Sequence, residues 1–427
     1  MSRRPALLVS LVLLAACSNG ESPPAAPAPG AGSIAFVNAT VWDGSGAPPV
    51  PDAVIVVRDR RIESVGPGPA PLGAERVDLG GGWVIPGLVN THGHVSGRWA
   101  PADIEGDAAR IVAELALLAR YGVTTVNSLG GEPYAAFALR VAESLAPVKR
   151  ARLQVAGPVV TEIDPAAART AAEANVARGV DWLKLRVDDN LGTTDKMPWD
   201  AVEAVVDVSR EFEIPLATHV FYLDDALHAL ASGSDMIAHS VRDLPVTNEF
   251  IASLAASGAC YVPTLTRELS TFVYAERPDF FDDPFFLKYA DRDEVARVSA
   301  PAFMDEMASS QTAAAYRRAW AQAMENLREL ADAGARIAMG TDSGPSARFP
   351  GYFEHLELQM MVMAGMTPEQ ALRSATSTAA DCLGRDDIGL LQPGRWADFL
   401  VLDADPLADI AATKQLRAVY MAGARVD

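Results

Sequence analysis

Two histidines separated by one glycine follow an apolar run early in the chain. They form His92-Gly93-His94, directly after the strand-like stretch Val84–Asn90. In an extended chain, residues i and i+2 point to the same side, so both imidazoles can reach one point, and Gly93 leaves room for an ion there. Imidazole is a common ligand of zinc-like metals. Because histidine pairs also occur by chance on surfaces, this motif alone is weak evidence for a metal site.

Further candidate ligands stand at the ends of other strand-like runs, namely His219, His239 and Asp342. The chain has 6 histidines, and four of them fall at such ends. In a barrel of parallel strands these ends converge at one mouth, where the active sites of barrels lie. The set therefore predicts a metal site, although each histidine taken alone could have a structural role in the core or in a loop.

An alternation of strands and helices must position these residues. Short apolar runs are separated by helix-patterned segments such as Ile111–Tyr121 and Ala166–Arg178. The runs are Val84–Asn90, Val123–Ser128, Leu153–Ala156, Trp182–Val187, Leu216–Val220, Met236–Ser240, Cys260–Thr264 and Arg336–Gly340. This order predicts an α/β fold, a (β/α)8 TIM barrel over residues 84–385. An open doubly wound sheet is the alternative, but no Gly-rich phosphate loop follows the first run.

Both ends of the chain carry β-branched runs broken by turn residues. They are Ile34–Val41 and Ala53–Val65 before the barrel, and Phe399–Leu402 and Ala418–Val426 after it. The pattern predicts a small β-sandwich domain formed jointly by residues 33–83 and 386–427.

One segment that connects two elements of the predicted barrel is long and rich in aromatic residues. Residues 267–307, after the seventh run, contain many Phe and Tyr side chains. Loops of this length are usually functional or disordered, and the aromatic content argues against disorder. Because the segment begins on the catalytic face, it is predicted to be a lid over the mouth. A contact between subunits of a homo-oligomer is the alternative.

The first residues have the pattern of a secretion signal. The apolar run Ala6–Ala16 is too short for a permanent membrane helix. Leu14–Cys17 resembles a bacterial lipobox, which implies removal of residues 1–16 and lipidation of Cys17; ordinary secretion is the alternative. Residues 17–32 are rich in Pro, Ala and Gly and are predicted to be a flexible tether. Ser18 favours the outer membrane, so we expect a lipoprotein of the cell envelope that faces the periplasm.

The acidic composition limits the partners. A formal net charge of −19 disfavours nucleic acid, because phosphates would be repelled, and it excludes a polybasic membrane patch. Contact with a membrane is therefore expected only through the lipid anchor.

Two cysteines remain besides Cys17. Cys260 and Cys382 lie in apolar surroundings far apart in the sequence. They could pair, but their surroundings favour two separate core cysteines, and their spacing does not suit a metal site.

Several stretches together resemble the amidohydrolase superfamily, and the resemblance covers nearly the whole chain after the tether. The stretches are Val84–His94, Gly122–Thr125, Met339–Gly344, Thr367–Leu372 and Gln392–Phe399. Within the superfamily the chain is similar to the branch of imidazolonepropionases and metal-dependent prolidases or carboxypeptidases. The resemblance implies two divalent metal ions, expected to be zinc. His92, His94 and Asp342 match the ligands of the first, and His219 and His239 match those of the second.

Lys184 matches the lysine that two-metal members carry as a carbamate bridging both ions. A free ammonium has no lone pair, so only the N-carboxylated side chain can bind metal. The alternative is a lysine that forms an ion pair in the mouth.

The implied reaction is hydrolysis of an amide bond. A hydroxide that bridges the metals attacks the carbonyl, and Asp342 acts as general base and then passes the proton to the leaving nitrogen. Dipeptides or N-acyl amino acids are the expected substrates. A cyclic amide, lactone or phosphoester on the same metals is an alternative, and so is a metal-dependent binding lipoprotein without turnover.

Loops that touch substrate in the family depart from its pattern here. The chain has Asn127-Ser128 where the family often has Arg-Asp, and Thr161–Ile163 where it often has Gly-Gly-His. Substrate identity therefore stays open.

Three arginines and a tyrosine near the strand ends are candidates for substrate binding. Arg186 lies two residues after Lys184 and should point to the same side. Arg242, Arg267 and Tyr222 follow shortly after the later runs. A guanidinium binds a carboxylate through two parallel hydrogen bonds, so we expect substrates with a free α-carboxylate. Pairing of these arginines with local acids, such as Asp188, Asp189 or Asp243, is the alternative.

Overall fold

The structure, a computed structural model, describes residues 32–143 and 149–426. The predicted signal segment, Cys17 and the tether up to residue 31 lie outside the described residues. Within the described ranges, no helix has both the length and the hydropathy needed to cross a membrane.

The strands, in chain order, are β1 (Ser33–Val41), β2 (Val50–Arg58), β3 (Arg61–Pro67), β4 (Glu75–Pro86), β5 (Leu88–Gly93), β6 (Val123–Ser128), β7 (Arg152–Val155), β8 (Leu183–Arg186), β9 (Leu216–His219), β10 (Met236–Ala238), β11 (Cys260–Val262), β12 (Phe399–Leu402), β13 (Leu416–Met421) and β14 (Ala424–Arg425).

The α-helices, in chain order, are α1 (Asp107–Arg120), α2 (Ala135–Ala142), α3 (Pro165–Arg178), α4 (Trp199–Phe212), α5 (Leu223–Ser232), α6 (Asn248–Ser257), α7 (Leu265–Leu269), α8 (Pro284–Leu287), α9 (Arg292–Val298), α10 (Pro301–Ser309), α11 (Gln311–Asp332), α12 (Tyr352–Met363), α13 (Pro368–Ser374) and α14 (Ser377–Cys382). Short 3-10 helices lie at Val273–Ala275, Asp279–Asp282 and Ile410–Lys414.

Strands from both terminal segments form one sheet. Its order is β14-β13-β12-β4-β1-β2-β3, with β4 parallel to β1 and antiparallel to β12. Phe36, Val84 and Phe399 are buried together in one apolar cluster of this sheet, and Ala35 and Val56 lie in another. The two segments thus share a sheet domain as expected. Hydrogen bonds join β12 directly to β4, so strands of both segments belong to one continuous sheet. The ring centroid of Phe36 on β1 nevertheless lies 4.9 Å from those of Phe399 and Tyr420, and the sandwich stays a prediction.

The middle of the chain builds parallel sheets covered by helices. One has the order β5-β6-β7 and the other β11-β10-β9-β8. Val160 joins them, since its N–H donates to Lys184 O (2.8 Å) and its carbonyl accepts from Arg186 N (3.2 Å). On α1 the buried residues Ile111, Leu115 and Leu118 recur at helical spacing and face the strands. The chain has an α/β, TIM-barrel-like fold, as predicted.

The predicted eighth strand is less regular than the others. Residues 336–341 form isolated bridges, but they bond to β11 through Ala338 N and Tyr261 O (3.0 Å). On the other side, Thr91 N of β5 donates to Met339 O (2.9 Å). The segment therefore lies between β11 and β5.

The predicted strand Val84–Asn90 is divided at Gly87. Its first part belongs to β4 in the terminal sheet, and its second part belongs to β5. A Cβ at Gly87 would collide with the side chain of Thr124. Only glycine allows the chain to pass this close to β6 as it moves from one sheet to the other.

Cys260 and Cys382 form a disulfide that joins β11 to α14, with their Cα atoms 6.0 Å apart. The prediction of two separate core cysteines is wrong. The sequence separation of 122 residues hid the pairing, because α14 returns to the start of β11 only in the folded chain.

The 267–307 insertion packs most of its aromatic side chains into one cluster with α12 and with the loops that carry Trp99 and Phe349. Phe280 and Phe286 pack against Tyr352 of α12, and Phe281 stacks on Phe286. Phe272 is different, since it packs in a cluster with Phe221 and Tyr316 of the mouth. The lid over residues 267–307 stays a prediction.

Candidate metal centre

The histidine pair at the end of β5 faces Asp342. His94 Nε2 lies 2.7 Å and His92 Nε2 lies 3.5 Å from Asp342 Oδ1. One ligand atom from each residue lies within 4.8 Å of the others. Ligand atoms about 2 Å from one ion stand roughly 3–4 Å apart, so this geometry suits a shared cation.

Two glycines allow the segment that carries Asp342 to approach β5. A Cβ at Gly340 would stand 2.8 Å from the Cβ of His92. At Gly344, which has φ +114°, a Cβ would collide with the carbonyl oxygen of His94. The N–H of Asp342 donates to the carbonyl of His92 at 2.7 Å. Close backbone approach therefore fixes the aspartate beside the histidines.

Gly93 was expected to leave room for an ion, but the structure gives it a different role. A Cβ there would lie 2.9 Å from Val126 Cγ2 and 3.2 Å from Asn90 Nδ2. The glycine allows β5 to pack on β6, while the two neighbouring histidines face the mouth.

His219 and His239 extend the cluster. The ring centroid of His239 lies 4.7 Å from that of His92 and 4.1 Å from that of His219. Lys184, on the neighbouring β8, is 2% exposed, and its Nζ has no hydrogen-bond partner among the described residues. A buried, unpartnered ammonium is unfavourable, so this amine suits a chemical state other than a free cation.

Hydrogen bonds orient two of the imidazoles. His94 Nδ1 lies 2.8 Å from Gly130 O, and His239 Nδ1 lies 2.7 Å from Thr264 Oγ1. When Nδ1–H donates to these oxygens, the lone pair of Nε2 points into the cluster. His92 differs, because its buried Nδ1 has no partner in the described part of the chain.

The electrostatics favour an ionised Asp342 and neutral forms of the bases other than His94, whose pKa the contact with Asp342 raises against the effect of burial. Burial lowers the pKa of Lys184 to about 7 and that of His219 to about 4. Burial also holds the pKa of His239 and His92 well below the usual range. For Asp342 burial acts in the opposite direction, but Arg348 and the two nearby histidines hold its pKa well below the usual value. Neutral imidazoles and an anionic carboxylate are the forms that bind metals.

Two of these residues have left-handed backbone conformations. His239 has φ 72° and Asp342 has φ 55°. Such conformations are uncommon outside glycine and are strained, and strain of this kind clusters at functional sites.

Asp188 is a carboxylate at the cluster that was not predicted as part of it. Its Oδ2 lies 3.0 Å from His219 Nε2, and the side chain is buried. It follows Lys184 by four residues, in the loop after β8. This contact pairs the Nε2 of His219, a predicted metal ligand, with a carboxylate.

Two of the predicted substrate arginines are engaged by one buried acid, Glu268. Arg242 Nε lies 3.1 Å from Glu268 Oε1, and neither side chain is exposed. Arg267 Nη1 donates to both oxygens of Glu268, at 3.0 and 2.9 Å. The alternative of pairing with local acids thus applies to both arginines, through Glu268. No substrate can reach Arg242.

Arg186 and Tyr222 remain accessible. Arg186 is half-exposed, with its Nε 4.0 Å from Asp188 Oδ1. The hydroxyl of Tyr222 donates to Asp189 Oδ1 at 2.8 Å. Both lie beside the histidines, and their role with substrate stays a prediction.

The structure adds residues that the sequence did not single out. Arg348 donates to Asp342 Oδ2 and, at 3.2 Å, to Ser270 Oγ. Glu354 is fully buried and accepts from Asn90 Nδ2 at 2.6 Å and from Ser343 Oγ at 2.8 Å. It therefore ties Asn90, two residues before His92, to Ser343, the residue after Asp342. The only signal for these residues in the sequence is their position soon after Asp342.

The residues fit divalent metal ions. His92, His94 and Asp342 form a possible site by geometry. The buried amine of Lys184 has no partner among the described residues, and carboxylation would give it two anionic oxygens. The neutral imidazoles of His219 and His239 stand on the other side of the cluster.

Comparison with known proteins agrees with this geometry. The profile of the amidohydrolase family matches residues 83–426. An imidazolonepropionase from Deinococcus deserti is 28% identical over 408 residues, which cover 88% of this chain and 92% of that protein.

Solved structures show the same fold. A Xaa-Pro dipeptidase with methionine bound in the active site aligns with a TM-score of 0.72 and 21% identity, covering 92% of this chain and 99% of that one. Phenylurea hydrolase B aligns with a TM-score of 0.72 and 24% identity, covering 92% and 97%. With the family profile spanning most of the sequence, the chain belongs to the amidohydrolase family, whose members are metal-dependent hydrolases that act on carbon–nitrogen bonds of small molecules.

Proposed function

We propose that this enzyme uses two divalent ions, expected to be zinc, to hydrolyse the amide bond of a dipeptide or an N-acyl amino acid. The observation that carries the proposal is the metal-ligand cluster of His92, His94 and Asp342 next to the buried, unpartnered amine of Lys184. The proposal takes the parallel strands and the 336–341 segment as one (β/α)8 barrel with this cluster at its mouth.

Two groups of side chains would hold the ions. His92, His94 and Asp342 would bind the first, and His219 and His239 would bind the second, with carboxylated Lys184 between them. His219 would have to exchange its contact with Asp188 for the ion. Bound ions would lower the pKa of a water molecule and polarise the substrate carbonyl.

The chain itself would orient the substrate and move the proton. Asp342 is fixed by the backbone of β5 and by Arg348, so one carboxylate can take a proton from water and deliver it to the leaving nitrogen. Arg186 and Tyr222 are the accessible side chains proposed to contact substrate. Buried Arg242 is withdrawn from that role, because Glu268 and the surrounding core enclose it.

A cyclic amide is the second candidate. The specific support is the match to imidazolonepropionase over 88% of the chain. A cyclic amide has no separate leaving amine with a free carboxylate, so the two candidates differ in their dependence on that group.

The location of the enzyme is a further part of the proposal. A lipid anchor at Cys17 would hold it to the cell envelope, facing the periplasm. The Cys260–Cys382 disulfide supports export, because disulfides persist in oxidising compartments and are rare in the cytosol. Cys17→Ala should move the protein from the membrane fraction to the soluble envelope fraction. Retention of the variant in the membrane fraction would contradict the anchor.

The decisive experiment is a substrate screen with the full chain loaded with zinc in the presence of bicarbonate. N-acyl amino acids, dipeptides, cyclic amides, lactones and phosphotriesters would be compared, with His94→Asn as the metal-site control. We expect hydrolysis of linear amides that is lost in the control and after chelation. Turnover confined to lactones or phosphotriesters would reject the proposal, and binding without turnover would support the metal-dependent binding protein.

A further inference from the structure

The mouth of the barrel holds more guanidinium groups than carboxylates that pair with them. Arg242 and Arg267 both contact Glu268, while Arg348 contacts Asp342. Arg267 also reaches within 3.9 Å of Asp342 Oδ2. Among the described residues, these three arginines thus share two carboxylates within ion-pair distance. Asp188 and Asp189 also lie at the mouth, so a contact for an anionic group of the substrate depends on a guanidinium whose nitrogens are not all taken by carboxylates.

Two of the three arginines are closed to a ligand. Arg242 is completely buried. Arg267 gives Nη1 to both oxygens of Glu268, and its Nη2 lies 3.4 Å from the hydroxyl of Tyr316. Arg242 Nε and Nη2 and Arg267 Nε have no hydrogen-bond partner among the described residues, but all three atoms are buried, so neither guanidinium offers a substrate a pair of accessible N–H groups.

Arg348 is different. Its Nε donates to Ser270 and its Nη1 to Asp342, while no residue in the described ranges accepts a hydrogen bond from its Nη2. The side chain is 18% exposed. Its backbone is held in a tight turn, because Gly344 N donates to Arg348 O and Arg348 N donates to Pro345 O, both at 3.1 Å. The guanidinium is therefore fixed beside the cluster with one nitrogen available.

We propose that Arg348 binds the carboxylate of the amino acid that leaves as the amine product; this inference rests on the proposed function. Asp342 delivers its proton to the leaving nitrogen, and Arg348 contacts the same Asp342 carboxylate. The α-carboxylate of a leaving amino acid is separated from that nitrogen by one carbon, so it lies within reach of Nη2. Arg348 thus selects amides whose amine side carries an α-carboxylate. Arg186, which is half-exposed and close to Asp188, is the competing candidate.

The test uses zinc-loaded enzyme and a panel of N-acetyl-L-amino acids with their C-terminal amides. We expect the parent to cleave the best acid roughly 10- to 100-fold faster in kcat/KM than its amide, the scale of one charge-assisted contact. Arg348→Met should bring this ratio close to one, mainly through KM, and Arg348→Lys should restore part of it. Arg169→Met is the matched control, because Arg169 lies on outer helix α3 and pairs with Glu173. It should keep the ratio of the parent.

Several results would overturn the inference: a parent ratio near one, a parental ratio retained in Arg348→Met, or a ratio lost in Arg186→Met alone. Equal loss of both substrates together with loss of bound zinc would also overturn it, since Arg348 would then act only by positioning Asp342. If the zinc-loaded parent cleaves no amide, the proposed function fails. Calorimetric binding of the free L-amino acids then tests Arg348 separately. Binding that exceeds that of the amino acid amides and is lost in Arg348→Met supports the inference, and equal binding to parent and variant rejects it.

Discussion

Replacement of Lys184 by methionine is predicted to stabilise the metal-free protein. Burial lowers the pKa of Lys184 from 10.5 to about 7, so between these pH values the folded protein binds fewer protons than the unfolded chain. One pKa unit corresponds to about 1.4 kcal/mol, so the buried amine lowers the free energy of unfolding by about 5 kcal/mol below pH 7. This penalty shrinks as the pH rises through the window and is absent above the unfolded pKa. Methionine has a similar length and no charge, so it avoids the penalty.

The assay is denaturant unfolding of chelator-treated protein in buffer free of bicarbonate, so that Lys184 stays a simple amine. The variant should be more stable than the parent by about 4–5 kcal/mol near pH 6.5 and by about 1–2 kcal/mol near pH 9.5. Lys196→Met is the matched control. Lys196 is a half-exposed lysine that pairs with Asp225 at 2.7 Å, so its replacement should not stabilise the fold.

The physical reasoning would be refuted by a Lys184→Met variant no more stable than the parent near pH 6.5. A stability difference that does not change with pH would refute it equally. If burial of a titrating amine is the cause, the difference between variant and parent must become smaller as the pH rises. Addition of zinc and bicarbonate should reverse the order, since the parent gains more binding free energy from the ions than a variant that lacks the ligand between them. We therefore expect Lys184 to lower the stability of the metal-free protein and to raise that of the metal-loaded protein.

The other predictions concern the ions, the proton and the disulfide. Protein purified without chelator and supplied with bicarbonate should hold close to two divalent ions per chain by elemental analysis, and a firm value of one would exclude a bridging Lys184. Asp342→Asn keeps the shape of the side chain but removes its base, so kcat should fall by roughly 10²–10⁴-fold; near-normal turnover with metal bound would exclude proton transfer by Asp342. The Cys260→Ala/Cys382→Ala double variant should melt at a lower temperature, because the disulfide spans 122 residues and contributes at most about 5 kcal/mol by chain entropy. Identical melting of variant and oxidised parent would contradict this.

The alternation of strands and helices was sufficient to place the metal-ligand candidates together. In parallel strands the carboxyl ends meet at one edge, so residues such as His92, His219 and Asp342 converge whatever the loops do. Their type and position in the sequence carry this information. The conformation of Asp342 is a different matter, because its left-handed backbone depends on Gly340 and on contact with β5.

Contacts between distant segments could not be predicted. Glu268 lies beside Arg267 in the sequence, but its pairing with Arg242 depends on how α7 packs against the loop after β10. Arg348 reaches Asp342 through a turn whose geometry the sequence does not specify. The Cys260–Cys382 bond also depends on the path of the chain over more than a hundred residues. In each case the local sequence pattern can single out one residue, but its partner is determined by tertiary packing.

In the terminal sheet, the central strand β4 pairs with one strand that is synthesised before it and with one that is synthesised long after it. Val84 of β4 pairs with Val41 of β1, which is made early, and with Val401 of β12, which is made after the whole barrel. Until then, one edge of β4 exposes unpaired backbone groups that can recruit strands from other chains. Slow synthesis or truncation before β12 thus exposes an aggregation-prone edge, and completion of the C-terminal segment protects the whole fold.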